Sequence, residues 1–201
     1  MEIGYKLILA SASPRRRELL AGLDMPFQVR VIDGVDESYP ADLPQTEVPM
    51  FISEKKSEAY INSISDNEIV ITADTVVIAG DRILGKPQDR NEASAMLRLL
   101  SGRKHQVVTG VTLAAKGKSH SFSVSTDVWF SVLSDSEIDY YIEHYRPFDK
   151  AGAYGIQEWI GYVGIERIEG SYFNVVGLPV QRLYRELLSF VSSLKAGPDT
   201  L

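Results

Sequence analysis

Two stretches of this sequence gather side chains that could hold a phosphate and activate a water. In S-A-S-P-R-R-R-E-L-L, residues 11–20, two serines precede a proline and three arginines. Pro14 suits the first position of a helix, where its missing N–H loses no partner, and Ser13 is a good N-cap. The free N–H groups and positive dipole end of that helix face the small-residue turn, while Arg15, Arg16 and Arg17 crowd its first turn. Cations there run against the dipole, and an anion would resolve the conflict. Strand, turn, Ser11 and Ser13 hydroxyls, helix N-terminus and guanidinium forks together describe a phosphate cradle. A solvated basic first turn with an ordinary serine cap is the alternative. The second stretch, I-V-I-T-A-D-T-V-V-I-A, residues 69–79, is the most apolar strand pattern in the chain and reads as buried on both faces. A carboxylate is seldom buried unless paired or bound to a metal, so Asp74 reads as functional.

Other charged residues are less informative by type alone. Asp36 and Glu37 sit together in a loop that runs through Pro40 and Pro44, where solvent-facing carboxylates are common. Lys55 and Lys56 lie on a helical pattern over residues 46–64, with Thr46 as its expected cap and Pro49 in its first turn. Gly85-Lys86-Pro87 leaves the sheet with a lysine at its edge. The segment D-K-A-G-A-Y-G-I-Q, residues 149–157, is rich in glycine and alanine and can bring its backbone close to a ligand.

The elements that must position these residues alternate between strand and helix patterns. A short strand over residues 7–10 feeds the first helix, Gly22 stops it, and residues 27–32 alternate as a half-buried strand before the Asp33-Gly34 turn. Asp89 with Glu92, and Ser134 with Glu137, have the spacing of capping boxes at the starts of two further helices. Residues 105–115 and 120–132 predict an antiparallel hairpin turning at Lys116-Gly117-Lys118, its second strand carrying Phe122, Val124, Val128 and Phe130 on one face. Tyr140, Tyr141 and Tyr145 read as packing or interface residues. A strand is expected over residues 161–168, an amphipathic helix over 179–194, and a frayed tail over 196–201. No repeat or linker interrupts the chain, so one α/β domain over residues 1–201 is the economical reading.

Composition narrows the function classes. The 201 residues carry 21 basic and 27 acidic side chains, a net charge of −6, which argues against a general nucleic-acid or membrane-surface binder. There is no cysteine, so disulfides, thiolate catalysis and Cys-ligated zinc are excluded. His105, His120 and His144 have no helical pair spacing, which disfavours a His-based metal site. No apolar run approaches the roughly 20 residues of a membrane span, and the first residues read as a strand rather than a leader. A cytoplasmic protein is the expectation.

Taken together, five motifs in order resemble one family. S-x-S-P-R-R-x-E-L-L, A-D-T-V-V, G-K-P, H-Q-V-x-T-G-V, and D-K-A-G-A-Y-G-I-Q followed by V-V-G-L-P are similar to those of the Maf family of nucleoside triphosphate pyrophosphatases, over residues 7 to about 188. The resemblance implies an elongated α/β fold like that of the inosine triphosphate pyrophosphatases, with a central curved mixed sheet flanked by helices and a cleft between two lobes. It implies cleavage of nucleoside triphosphates between the α and β phosphates, with a divalent cation, Mg²⁺ or Mn²⁺. Ser11, Ser13, Arg15, Arg16, Lys55 and Lys86 would then bind phosphates. Asp74 would be the proton acceptor, and Glu37, Asp36 and Asp74 would help to hold metal. Arg15, Thr75 and Gln157 match the subfamily acting on dTTP and UTP, where the subfamily acting on 7-methyl-GTP has Trp, Gln and Glu. A Gln amide can both donate to and accept from the O4 and N3–H edge of uracil or thymine. Modified pyrimidine nucleotides, a role in cleaning the nucleotide pool, and a homodimer are further implications. A free Asp, with a pKa of about 3.9, is a poor base at neutral pH. Asp74 could therefore orient the water, gain basicity from its surroundings, or bind a metal that acidifies the water. Specificity for 7-methyl-GTP is the alternative within the family, and a nucleotide-binding regulator of septum formation and a nucleotidyl or phosphoryl transferase are the alternatives from other classes.

Overall fold

The computed structural model describes residues 3–196. Of the expected tail, residues 197–201 lie outside the described residues. Strand β1 (Lys6–Leu9) enters helix α1 (Pro14–Ala21), followed by β2 (Phe27–Val29), α2 (Val48–Glu58), β3 (Glu68–Ala79) and β4 (Arg82–Leu84). Then come α3 (Arg90–Leu100), β5 (Lys104–Ala115), β6 (Lys118–Phe130), α4 (Asp135–Tyr145), α5 (Trp159–Gly164), β7 (Ile165–Glu169), α6 (Tyr172–Val176) and α7 (Val180–Lys195). The seven strands form one mixed sheet in the order β2-β1-β3-β5-β6-β7, with β4 paired to β3 off that path. β1 runs parallel to both β2 and β3, with Leu9 opposite Val29 on one side and Ile71 on the other. Two residues join β5 to β6, a connection that only an antiparallel pair permits.

The chain divides into two compact units. The first holds the residues up to Asp74, Thr109–Val124, and those from Gly177 on. Its core takes Leu7, Leu9, Ile69 and Ile71 from β1 and β3, with Leu183, Leu187 and Phe190 of α7. Ile8 and Val70 face the other way and pack with Tyr60, so β1 and β3 are buried on both faces, as their continuous apolar runs require. Gly110 of β5 sits against the start of α2. A Cβ there would fall 2.2 Å from the Met50 backbone nitrogen.

The second unit holds Thr75–Val108 and Ser125–Val176. Its core is formed by Leu97 and Leu100 of α3, Val107 and Phe130 of the hairpin, and Ile138, Tyr141 and Ile142 of α4. The buried His105 ring meets Phe130 and Tyr154 edge-on, with Nε2 at 2.8 Å from the Tyr154 hydroxyl. Burial pulls the His105 pKa down to about 4, against a smaller opposing pull from Asp127.

Several local expectations shift. The α2 cap is Glu47, in helical conformation and without a side-chain bond, not Thr46. The turn closed by Glu47 N–H on Pro44 O already carries the chain in helical sense, so no extended cap residue is needed. α2 ends at Glu58, and a single 3₁₀ turn over Ile61–Ser63 follows. β2 stops at Val29, and beyond it the Tyr60 hydroxyl donates to Arg30 O and accepts Ile32 N–H, both at 2.9 Å. The expected strand over 161–168 opens instead as α5, where Gly161 passes so close to the Ile156 carbonyl that a Cβ would lie 1.8 Å from it. The Ser134–Glu137 capping box is complete. At Asp89 only the forward bond forms, since the Glu92 carboxylate takes Gln88 N–H.

Two stability predictions follow from this packing. Gly110→Ala must displace the α2 backbone and lowers unfolding stability by about 3 kcal/mol; an unchanged urea midpoint would refute the contact. His105 binds a proton less readily folded than unfolded, so its contribution to stability is present above about pH 6.5 and lost as pH falls toward about 4. The shift corresponds to about 3 kcal/mol across that window. Urea unfolding measured from pH 7 to pH 4 shows a flatter slope in His105→Asn if burial is the cause.

Candidate active site

β1 runs parallel to β3 and ends opposite Ile71, while β3 continues to Ala79, so the turn after β1 lies beside the middle of β3. The turn after β1 places Ser13 as the cap of α1, its hydroxyl accepting Arg16 N–H at 3.4 Å, while Ser11 Oγ accepts Ser13 N–H at 3.3 Å. Arg16 lies across the middle of β3. Its Nη1 donates to Ala73 O at 2.7 Å and its Nε to Gly177 O at 2.9 Å. Burial lowers the Arg16 pKa, and the nearby Asp74 carboxylate opposes that shift. The fork thus spends donors on main-chain carbonyls and fixes its charge one residue from Asp74.

α2 supplies the counter-charge. Thr72 Oγ1 donates to Ser53 O at 2.7 Å, and Ser53 Oγ lies 2.8 Å from Thr112 Oγ1, so α2 is docked through buried hydroxyls. Lys56, three residues beyond Ser53, falls on the same helix face. Its Nζ reaches Asp74 Oδ1 at 2.7 Å and Glu37 Oε1 at 3.0 Å. Lys55 points elsewhere, to Asp36 Oδ2 and Ser38 O, both at 2.8 Å. Lys55 and Ser38 together hold the Asp36 carboxyl well below its ordinary range.

The structure therefore brings Arg16, Glu37 and Asp74 together electrostatically and adds Lys56, whose importance the sequence did not reveal. Asp36 and Lys55 form a separate pair nearby in the chain. Two carboxylates, Glu37 and Asp74, converge on one ammonium, and among the described residues no cluster of three or more metal-ligating side chains occurs. That donor set suits Mg²⁺ or Mn²⁺, which are commonly held by one or two carboxylates with waters and substrate phosphates completing the shell.

In the second unit, Thr75 is half-buried on β3, and Lys86 is exposed after β4 with no ion pair among the described residues. Gln157 is half-buried, and its Oε1 is shielded from solvent without a hydrogen-bond partner. A buried orphan acceptor is costly to keep and marks a place where a ligand donor would be welcome.

The mixed sheet with flanking helices, a basic helix N-terminus and a lysine-paired strand carboxylate in the first unit define an α/β protein with cations gathered beside a carboxylate. The chain belongs to the Maf family: the family model for Maf-like protein matches residues 6–190. A relative from Parabacteroides distasonis, named dTTP/UTP pyrophosphatase, is 55% identical over 186 residues, covering 92% of this chain and 96% of the relative. One of the same name from Porphyromonas gingivalis strain W83 is 56% identical over 191 residues, 94% and 96% of the two chains. Among solved structures, the Staphylococcus aureus Ham1 protein superposes with a TM-score of 0.50 over 94% of this chain and 98% of that one, at 14% identity. It is a likeness of fold.

Arg16→Lys tests the site's rigidity. An ammonium cannot span both carbonyls as the fork does, so the substitution costs about 1–2 kcal/mol of unfolding stability. Equal stability by urea titration would show that the two bonds do not fix the turn.

Proposed function

We propose that this chain hydrolyses dTTP and UTP, and modified pyrimidine nucleoside triphosphates, between the α and β phosphates, releasing the monophosphate and pyrophosphate. The reading is supported by relatives more than half identical over nearly their whole length that carry the name dTTP/UTP pyrophosphatase. The observation that carries it is Asp74, a strand carboxylate held 2.7 Å from Lys56 and flanked by Arg16.

In this reading a water oxygen bonds to the α-phosphorus as the bridging bond to the β-phosphate breaks. The bridging oxygen leaves with the electron pair on pyrophosphate. Asp74 orients the water and takes its proton. Ser11, Ser13, Arg15, Arg16, Lys55, Lys56 and Lys86 bind and neutralise the phosphates, since catalysis of phosphoryl transfer is mostly positioning and charge neutralisation. Glu37 and Asp74 would hold Mg²⁺ or Mn²⁺, which when bound supplies further charge neutralisation and a more acidic water. Lys56 then exchanges its carboxylate partners for phosphate oxygens. Arg15, Thr75 and Gln157 select the pyrimidine base. No helix among the described residues is long and apolar enough to cross a membrane, and clearance of the cytoplasmic nucleotide pool is the proposed role.

The test is product identification by ion-exchange chromatography after incubation with Mg²⁺ or Mn²⁺ and, separately, dTTP, UTP, CTP, GTP and 7-methyl-GTP. Monophosphate and pyrophosphate form from dTTP and UTP, and Asp74→Asn lowers the rate by about 10²–10⁴. Diphosphate and orthophosphate would place the cut at the wrong bond. Selective turnover of 7-methyl-GTP would remove the assigned roles of Arg15, Thr75 and Gln157.

A further inference from the structure

The segment that carries Gln157 is fixed by side chains that the reaction itself does not use. Gly155 N–H donates to the Tyr141 hydroxyl at 3.0 Å, and that hydroxyl donates in turn to Glu158 Oε2. The other Glu158 oxygen, Oε1, takes Lys150 Nζ at 3.0 Å, and Lys150 also reaches Asp149 at 2.7 Å. Tyr141 is fully buried and Lys150 nearly so, at 8% exposure. Burial first, and the Glu158 carboxylate second, push the Tyr141 phenol far up, so it stays protonated and the bonds run in one direction only. The segment is also held in backbone shapes it would not adopt alone, with Ala153 at φ 59° beside Gly152 at φ 69°. The Gln157 amide lies against this frame: a Cβ on Gly155 would meet Gln157 Nε2 at 3.1 Å and Glu158 Cδ at 3.0 Å.

A buried lysine–glutamate–tyrosine chain is weak evidence for stability, because desolvation offsets much of the attraction. What it does supply is a fixed orientation on both sides of Gln157. Uracil and thymine offer an N3–H donor and an O4 acceptor. Cytosine offers the reverse, an N3 acceptor and an amino donor. An amide free to rotate satisfies either edge, whereas an amide held one way satisfies only one.

We propose that Tyr141 and Glu158 are positioning residues for base selection, locking the 155–158 turn so that the Gln157 amide accepts uracil or thymine and refuses cytosine. The inference rests on the pyrimidine triphosphatase reading and deepens it. Gln157 Oε1, buried and unpartnered, is the acceptor for N3–H, and Nε2 is the donor to O4.

Tyr141→Phe keeps the ring and removes the hydroxyl; Glu158→Gln keeps the shape and removes the charge, and serves if the first variant does not fold. Two measurements are made on wild type and variants: kcat and KM for UTP and CTP, and hydrogen exchange of the peptide spanning residues 149–158. Loss of the lock lowers the UTP-over-CTP ratio of kcat/KM about tenfold, chiefly through KM for UTP, and speeds exchange of that peptide. Unchanged exchange would overturn the inference, as would equal losses on both substrates with the ratio intact, or a wild-type enzyme that does not distinguish UTP from CTP. A wild type that cleaves neither sinks the functional reading instead; equilibrium binding of UTP and CTP then decides the inference, and an unaltered preference in Tyr141→Phe overturns it.

Discussion

A carboxylate in the middle of an apolar strand needs a counter-charge close by, and the contact between Lys56 and Asp74 supplies it. Much of the first unit is arranged so that this contact can form. α2 must approach β3 closely enough for a lysine to reach across, and it does so over Gly110, where a side chain would collide with the helix backbone. The approach buries polar groups, and Thr72, Ser53 and Thr112 satisfy one another there. Register is then set by helix geometry, since a residue three positions beyond Ser53 faces the same way and its neighbour does not. Lys56 and Asp74 remain 17% and 14% exposed, so the pair is shielded without being sealed. An ammonium held in that way can give up a carboxylate for a phosphate oxygen without leaving either charge unpartnered in a dry interior.

Arg16 solves a different problem. Three arginines at a helix N-terminus repel one another and oppose the dipole. By giving Nε and Nη1 to Gly177 O and Ala73 O, Arg16 is tied to the main chain rather than left to solvent, and Asp74 and Glu37 lie close enough to offset its charge. The turn after β1 is thus anchored to the middle of β3 by a side chain, just past the last pair of the β1–β3 ladder. Lys55 and Asp36 form the contrasting case of a pair at the surface, with Asp36 70% exposed.

What was legible in the sequence was local. The Ser13 cap with Pro14, the complete box at Ser134 and Glu137, the twice-buried β3 and the alternating β6 follow from residues within a few positions of each other. Asp74 stood out because its neighbours are all apolar or small. Lys56 did not stand out, because adjacent lysines on a helix differ only in azimuth, and azimuth is fixed by how α2 docks on β3 and β5. The α5 helix was hidden for a similar reason: Gly161 is there to pass the Ile156 carbonyl, a contact that reads in sequence only as a strand glycine. Tyr141 looked like packing and is packed, yet its hydroxyl meets Gly155 and Glu158, 14 and 17 positions away.

A triphosphate is the same on every nucleotide, so a site made of arginines, lysines and carboxylates cannot by itself choose a base. Its ion pairs tolerate shifts of an ångström, because Coulomb energy changes slowly with distance. Base choice instead depends on hydrogen-bond direction, which an amide rotated by half a turn reverses completely. In the role proposed for Gln157, rigidity is worth most around its amide, and the 149–158 segment is where the second unit concentrates a buried lysine, a buried tyrosine and a non-glycine residue at positive φ. The lysines Lys55 and Lys56 sit on α2, paired with loop and strand carboxylates, while the turn that carries Gln157 is held on both sides by a network with its polarity fixed from Gly155 N–H to the Glu158 carboxylate.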